Sequence, residues 1–104
     1  MRRRFTLTPQ ARSDLRDILL DIAEDSPDAA ERLREEFYER LQTLAAQPGI
    51  GHFHDELLGR AFRFWNFHSY VVVYEWKIRP IRIICVVHGA RELAAFLVAR
   101  AGTE

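Results

Sequence analysis

The side chain best suited to proton transfer is that of His88, because an imidazole changes charge near neutral pH. Arginines are frequent in the same half of the chain. Their planar guanidinium group binds carboxylate or phosphate through paired hydrogen bonds. Four of them are candidates for binding an anion: Arg60, Arg63, Arg82 and Arg91.

Charge is divided unevenly along the chain, although the formal net charge is zero. Residues 14–39 hold ten acidic side chains and three arginines, whereas residues 60–100 hold six arginines and one lysine against two acidic side chains. We therefore expect the second half to face an anionic partner. A coding preference for arginine would give the same composition without any partner, so both explanations stay open.

Each candidate also has a purely structural explanation. His88 stands at the predicted end of a strand, where a ring nitrogen could bond a nearby backbone carbonyl. Arg63 and Arg82 could pair with Glu75 across neighbouring strands, an interaction that contributes a few tenths to about 1 kcal/mol. Arg91 could cap a terminal helix. The sequence alone leaves these alternatives open.

Two further sets of side chains carry weaker signals. His52, His54 and Asp55 are metal-ligating types, but a fourth nearby ligand is lacking, so we predict no metal and no cofactor. The rings of Trp65, Phe67 and Trp76 could stack on nucleic-acid bases, although aromatic residues on strands more often pack in a core or an interface. We keep Trp65 as a candidate for partner binding.

Composition limits the class of protein. The 104 residues, with a mass of 12.2 kDa, predict one domain over residues 1–104. The single cysteine, Cys85, excludes an internal disulfide and any multi-cysteine metal site, which indicates the cytoplasm. No long apolar run is present, so we expect neither export nor a membrane span.

The elements that would position the candidates begin with a short extended segment over residues 3–7 and two helices. Thr8 and Ser26 each precede a proline, which is typical of an N-cap followed by a first helical position. Apolar residues at helical spacing predict amphipathic helices that end at about Asp25 and before Gln47. Each helix has one apolar face, so the hairpin must pack on another apolar layer.

The second half predicts a sheet. Residues 61–67, 69–77 and 81–88 are rich in β-branched and aromatic side chains, whereas residues 49–59 show no clear period and indicate an exposed connection. Residues 91–100 predict a short C-terminal helix. The expected fold class is α+β, in the order β-α-α-β-β-β-α, with an antiparallel sheet of about four strands packed on the N-terminal helical hairpin.

The last predicted strand has two largely apolar faces, which would leave some apolar surface open for a partner. By strict alternation its two faces would carry Ile81, Ile83, Cys85 and Val87 on one side and Arg82, Ile84, Val86 and His88 on the other.

One ordered set of residues resembles a known family. It comprises Leu7-Thr8-Pro9-Gln10-Ala11 with Asp14-Leu15, Leu44 with Pro48-Gly49-Ile50-Gly51, Arg63, Tyr70, Tyr74, and Val87-His88-Gly89-Ala90-Arg91. No single piece is specific, but the ordered set is. Over roughly residues 5–97 it resembles the RelE/ParE toxins of type II toxin–antitoxin systems.

The ending His88-Gly89-Ala90-Arg91, followed by Glu92, is similar to the ParE branch, whose members are often labelled plasmid stabilisation proteins and are generally associated with inhibition of DNA gyrase. The resemblance implies a toxin held inactive in a hetero-oligomer with a cognate acidic antitoxin. The residues implied to contact the target or the antitoxin are Arg60, Arg63, Trp65, Arg82, His88 and Arg91.

The RelE branch offers a different activity, cleavage of mRNA on the ribosome. There Arg63 and Arg82 would stabilise the phosphate, and His88 would act as acid or base. Members of that branch tend to use a late Tyr or His, yet no tyrosine follows His88, and Tyr70 and Tyr74 lie in the middle of a predicted strand. A third alternative is a member that binds antitoxin without being toxic, because fold alone does not decide activity.

Overall fold

The computed structural model describes residues 5–54 and 59–89. One short strand precedes two helices, and four strands follow them. In chain order the elements are β1 Phe5–Leu7, α1 Pro9–Asp25, α2 Pro27–Ala46, a 3-10 turn Pro48–Ile50, β2 His52–His54, β3 Gly59–Phe67, β4 Tyr70–Glu75 and β5 Ile81–His88. The predicted C-terminal helix over residues 91–100 lies outside the described residues.

The two helices begin at the predicted caps. The Thr8 hydroxyl accepts a hydrogen bond from the N–H of Ala11, and the Ser26 hydroxyl accepts one from the N–H of Ala29, both at 3.1 Å. Ser26 also ends α1, because its N–H donates to the carbonyl oxygen of Ile22 at 3.0 Å. One residue therefore closes the first helix and opens the second, as the cap-and-proline pattern predicts.

The sheet has five strands in the order β1-β5-β4-β3-β2. Strands β2 to β5 pair antiparallel with their neighbours, and β1 pairs parallel with β5. The expectation of about four strands is wrong by one, because residues 52–54, which the sequence pattern places in an exposed connection, form strand β2. A strand of three residues is too short to show an alternating period.

One irregularity interrupts the pairing of β4 with β5. Val73 lies opposite Cys85, whereas the next residue, Tyr74, lies opposite Ile83, so Ile84 is left over as a bulge. The bulge shifts the alternation by one residue: Ile83 packs on the helix side of the sheet, and Cys85 packs on the other side. The prediction that Ile83 and Cys85 share a face is therefore wrong.

Two apolar clusters sandwich the sheet. The cluster on the helix side consists of Ala11, Leu15, Phe37, Leu41, Leu44, Phe67, Val72, Tyr74, Ile81, Ile83 and Val86. The cluster on the opposite side consists of Phe64, Val71, Val73, Cys85 and Val87, which are at most 7% exposed. Both faces are apolar, as predicted, but this part of the far face leaves no apolar surface open.

The first helix is also tied to the centre of the sheet by polar contacts. The N–H of Thr8 donates to the carbonyl oxygen of Ile83 at 3.0 Å, and a carboxylate oxygen of Asp14 accepts from the N–H of Val86 at 3.0 Å. These bonds fix the helical hairpin over β5. Within the described ranges, neither helix combines the length and the hydrophobicity needed to cross a bilayer.

Candidate functional site

Arg63 lies in a corner formed by two aromatic rings. Its guanidinium carbon is 4.1 Å from the ring centroid of Phe53 and 4.0 Å from that of Trp76, and the two rings are inclined by 65°. Its Nη1 donates to the carbonyl oxygen of Gly51 at 2.6 Å, and its Nε is buried without a hydrogen-bond partner among the described residues. Arg63 therefore cannot present its whole planar fork to a phosphate.

Tyr74 supports the same corner from within the core. Its hydroxyl donates to the carbonyl oxygen of Pro48 at 2.6 Å and accepts from the N–H of Gly51 at 3.1 Å. Burial raises the pKa of the Tyr74 phenol, while the Gly51 N–H and the charge of Arg63 oppose that rise. A neutral tyrosine and a stacked arginine together hold the turn between α2 and β2.

Arg60 joins this group from the start of β3. Its guanidinium carbon lies 4.3 Å from the ring centroid of Phe53, and its backbone oxygen accepts a hydrogen bond from the indole nitrogen of Trp76 at 3.0 Å. Lys77 places its ammonium nitrogen 5.4 Å from the Trp76 ring. The structure thus brings the predicted residues Arg60 and Arg63 together with Trp76, which the sequence offered for stacking, and with Phe53 and Lys77, which it did not single out.

Arg82 lies on the other face of the sheet and is paired. Its Nε and Nη2 each lie 2.5 Å from a carboxylate oxygen of Glu75, the residue directly opposite on β4. Of the two arginines that were expected to pair with Glu75, Arg82 does so and Arg63 does not. Arg82 is therefore engaged within the sheet, although half of its side chain remains exposed.

His88 ends β5 at the far end of the sheet, opposite Tyr70. The two rings are 5.0 Å apart at an angle of 48°, and His88 is exposed. Burial and the charge of Asp21 raise the pKa of the Tyr70 phenol. The sequence pattern discounts Tyr70 because it lies in the middle of a predicted strand and no tyrosine follows His88. The pairing of two antiparallel strands brings the two residues together despite that separation.

The three residues proposed for RNA cleavage do not form one site. Arg63 pairs with Tyr74, which is four residues along β4 from Tyr70, the partner of His88. Residue rise and strand spacing then place the Cα atoms of Arg63 and His88 about 16 Å apart. Arg82 lies at a similar distance from His88 along β5, on the face opposite Arg63.

The two remaining candidate residues, Trp65 and Arg91, do not extend the site. Trp65 is half-buried and packs against the helix-side core, with its ring 6.5 Å from that of Phe67. This is the packing role that sequence analysis weighed against base stacking. Arg91 lies outside the described residues. In the part of the chain that the structure describes, no three His, Cys, Asp or Glu side chains are grouped to hold a metal ion.

An apolar groove runs along the outer side of the helical hairpin and encloses about 500 Å³. Leu20, on its wall, is 60% exposed, the highest value among the large apolar side chains of the described residues. The charged residues along the groove are Arg12, Arg16, Arg34 and Glu31, and Arg34 pairs with Glu31. Its apolar lining consists of Leu15, Leu19, Leu20, Ala23, Pro27 and Ala30, with Tyr38 at one side.

Comparison with known proteins points in one direction. The family model "ParE toxin of type II toxin-antitoxin system, parDE" matches residues 5–93. A solved structure described as the chromosomal ParDE TA system from P. aeruginosa matches with a TM-score of 0.67 and 16% identity, over 82% of this chain and 94% of that one. At that identity the likeness shows a shared fold. Curated protein sequences give no significant match.

Proposed function

Because the chain belongs to the ParE toxin family of type II toxin–antitoxin systems, we propose that it is the toxin of such a module and arrests growth by inhibiting DNA gyrase in the cytoplasm. A cognate acidic antitoxin neutralises it by direct binding in a hetero-oligomer. The observation that favours gyrase inhibition over RNA cleavage is the distance of His88 from Arg63 and Arg82.

RNA cleavage demands groups that act together on one phosphate. A base for the 2′-hydroxyl, a cation for the phosphate and an acid for the leaving group must all lie within hydrogen-bond reach of a few ångströms, roughly 3 Å each. Arg63 is held by Gly51 and two rings, Arg82 is held by Glu75, and His88 lies beyond the reach of both.

The groove on the helical hairpin is the antitoxin site that we propose. Its apolar lining fits one face of an amphipathic helix, a common way in which a disordered segment folds on a groove. Arg12 and Arg16 are exposed along it and would attract acidic residues flanking that helix. This assigns antitoxin contact to the helical hairpin and leaves Arg60 and Arg63, which the resemblance implied to contact either the target or the antitoxin, for contact with the target.

The groove assignment is tested by Leu20→Glu, with Ile50→Glu as the matched control. Both replace an exposed apolar side chain by a carboxylate, but only Leu20 lines the groove. Titration calorimetry with the product of the adjacent open reading frame should give a dissociation constant at least about tenfold higher for the Leu20 variant. Equal affinities for both variants and the wild type would remove the groove from the proposal.

The activity is tested in cells by inducing the toxin and measuring plasmid supercoiling and the integrity of ribosome-bound mRNA. Gyrase inhibition predicts plasmid DNA that loses negative supercoiling before growth stops, with ribosome-bound mRNA intact. Discrete mRNA cuts with normal supercoiling would contradict it. Induction without growth arrest would instead favour the alternative that the chain binds an antitoxin but is not toxic.

A second candidate function, ribosome-dependent mRNA cleavage, has one observation in its favour. Tyr70 places its ring against His88 and could supply the phenol that the sequence after His88 lacks. Primer-extension mapping of cleavage on translating ribosomes tests it with His88→Ala and Tyr70→Phe. Cuts that disappear in both variants would support this candidate, and an absence of cuts with the wild-type chain would eliminate it.

A further inference from the structure

The turn between β4 and β5 carries an exposed, positively charged tip formed by Lys77, Ile78 and Arg79, which we call the hairpin tip. We propose that the hairpin tip is the surface that contacts the toxin's target, and that it fits an acidic protein surface with an apolar pocket. The proposal rests on the proposed function. It adds that target contact and antitoxin contact use different surfaces.

The turn of the hairpin tip is bridged by its own arginine. Nη1 of Arg79 donates to the backbone oxygen of Trp76 at 3.0 Å and to that of Ile78 at 2.9 Å. These bonds close the turn and leave the side chain of Ile78 43% exposed. A preorganised apolar side chain loses little conformational entropy on binding, so it can contribute to affinity in full.

The base of the hairpin tip is equally fixed. The indole nitrogen of Trp76 is bonded to the backbone oxygen of Arg60, and the Trp76 ring packs against the guanidinium of Arg63. The ammonium group of Lys77 lies over the same ring. The hairpin tip therefore adjoins Arg60 and Arg63, two of the arginines that the resemblance implies to contact a partner.

Charge favours an acidic partner. Glu75 is the only acidic residue between Tyr70 and Gly89, and Arg82 is paired with it. Lys77 and Arg79 thus add positive charge next to Arg60 and Arg63. Such a patch speeds the encounter with an acidic surface and orients it, in a manner that weakens with salt.

The apolar residue between the two cations favours a protein over a nucleic acid. Binding to a phosphate backbone is dominated by charge and provides no partner for an exposed isoleucine. Protein interfaces, by contrast, obtain most of their affinity from a few buried side chains surrounded by polar contacts. Ile78 flanked by Lys77 and Arg79 has this arrangement.

The hairpin tip and the helical groove share no residue. The groove extends towards the turn between α1 and α2, and Asp21, which precedes that turn, acts on Tyr70. Tyr70 begins β4, whereas the hairpin tip follows the end of β4. The part of the groove near Ala23 and Pro27 therefore lies towards the end of the sheet opposite the hairpin tip, and because the two surfaces share no residue, each can be altered alone.

The test compares the wild-type chain, the double variant Lys77→Glu/Ile78→Ser and the control Arg32→Glu. Arg79 is left in place because it closes the turn, and Arg32 is an exposed cation of α2 outside the groove lining. The two binding partners used in the test are purified gyrase and the antitoxin encoded by the adjacent open reading frame. We expect the double variant to need at least about tenfold more protein for half-inhibition of supercoiling, with unchanged antitoxin affinity and an unaffected control.

Several outcomes would overturn the proposal. If the double variant inhibits gyrase as strongly as the wild-type chain, the hairpin tip is not the target-contact surface, whereas the proposed function is unaffected. Parallel loss of inhibition and antitoxin binding shows that the surfaces are not separate, provided that thermal melting and the single variant Lys77→Glu exclude misfolding. Unchanged gyrase binding with weakened duplex DNA binding assigns the hairpin tip to nucleic acid. If the wild-type chain does not inhibit gyrase, both the hairpin-tip proposal and the proposed function are contradicted.

Discussion

The backbone N–H of Gly51 donates a hydrogen bond to the Tyr74 hydroxyl at 3.1 Å, and this approach leaves no room for a side chain at residue 51. A Cβ atom there would lie 2.6 Å from the Tyr74 oxygen and 2.9 Å from the backbone oxygen of Phe64. The carbonyl of Gly51 also holds Arg63. One glycine therefore joins the turn after α2 to the middle of the sheet.

Replacing Gly51 by alanine should lower the free energy of unfolding by about 1–3 kcal/mol, because the added methyl group overlaps backbone and a buried ring. Gly49→Ala is the matched control, since a Cβ atom at residue 49 meets nothing within 4 Å. Urea unfolding followed by circular dichroism measures both. Equal midpoints for the two variants would show that residue 51 has room to adjust.

Removing the Tyr74 hydroxyl should also be costly. Tyr74→Phe leaves the carbonyl oxygen of Pro48 and the N–H of Gly51 without a partner, and an unsatisfied buried group costs about 1–3 kcal/mol. Tyr38→Phe on α2 is the control, with an expected change of less than about 0.5 kcal/mol, typical of positions away from such features. A Tyr74 variant as stable as the control would contradict the anchoring role.

The phenols of Tyr74, which is buried, and Tyr70, which is partly buried, predict that stability depends on pH in the alkaline range. Burial raises the pKa of both Tyr70 and Tyr74 above the ordinary value of 10.0. A raised pKa in the folded state means that the stabilisation is fully present below the unfolded pKa and is lost as pH rises through the folded values. Tyrosinate absorbance should therefore rise at a higher pH in the folded chain than in the chain unfolded in urea. Coincident titration curves would contradict the burial of both rings.

Arg63 and Arg82 should differ in their effect on stability. Arg63→Met removes the bond to Gly51 and the contacts with two rings, and we expect a loss of about 2 kcal/mol. Arg82→Met breaks an exposed pair with Glu75, which is worth less than about 1 kcal/mol. Thermal unfolding of both variants at the same pH shows which substitution causes the larger loss of stability. A larger loss for Arg82 would reverse our assignment of structural roles.

The sequence predicts the helices well because their signals are local. Thr8 and Ser26 carry both cap and proline patterns, and the helices begin and end where those patterns place them. The three longer strands also follow from composition. β2 was missed because three residues with two histidines show no period, and the bulge at Ile84 was missed because it depends on the partner strand.

The candidate site is predicted only in part. The sequence singles out Arg60 and Arg63. It does not show that Phe53 and Trp76 enclose Arg63, because these contacts join β2, β3 and the residue that follows β4. It also separates His88 from Tyr70 along the chain, although antiparallel pairing makes them neighbours. Side chains brought together by register cannot be found from sequence spacing.

The most direct test of the central claim is a supercoiling assay with purified gyrase, relaxed plasmid and ATP. The account predicts that the wild-type toxin stops supercoiling and that a stoichiometric amount of the adjacent antitoxin restores it. Gyrase that works at full rate in the presence of excess folded toxin would contradict the account.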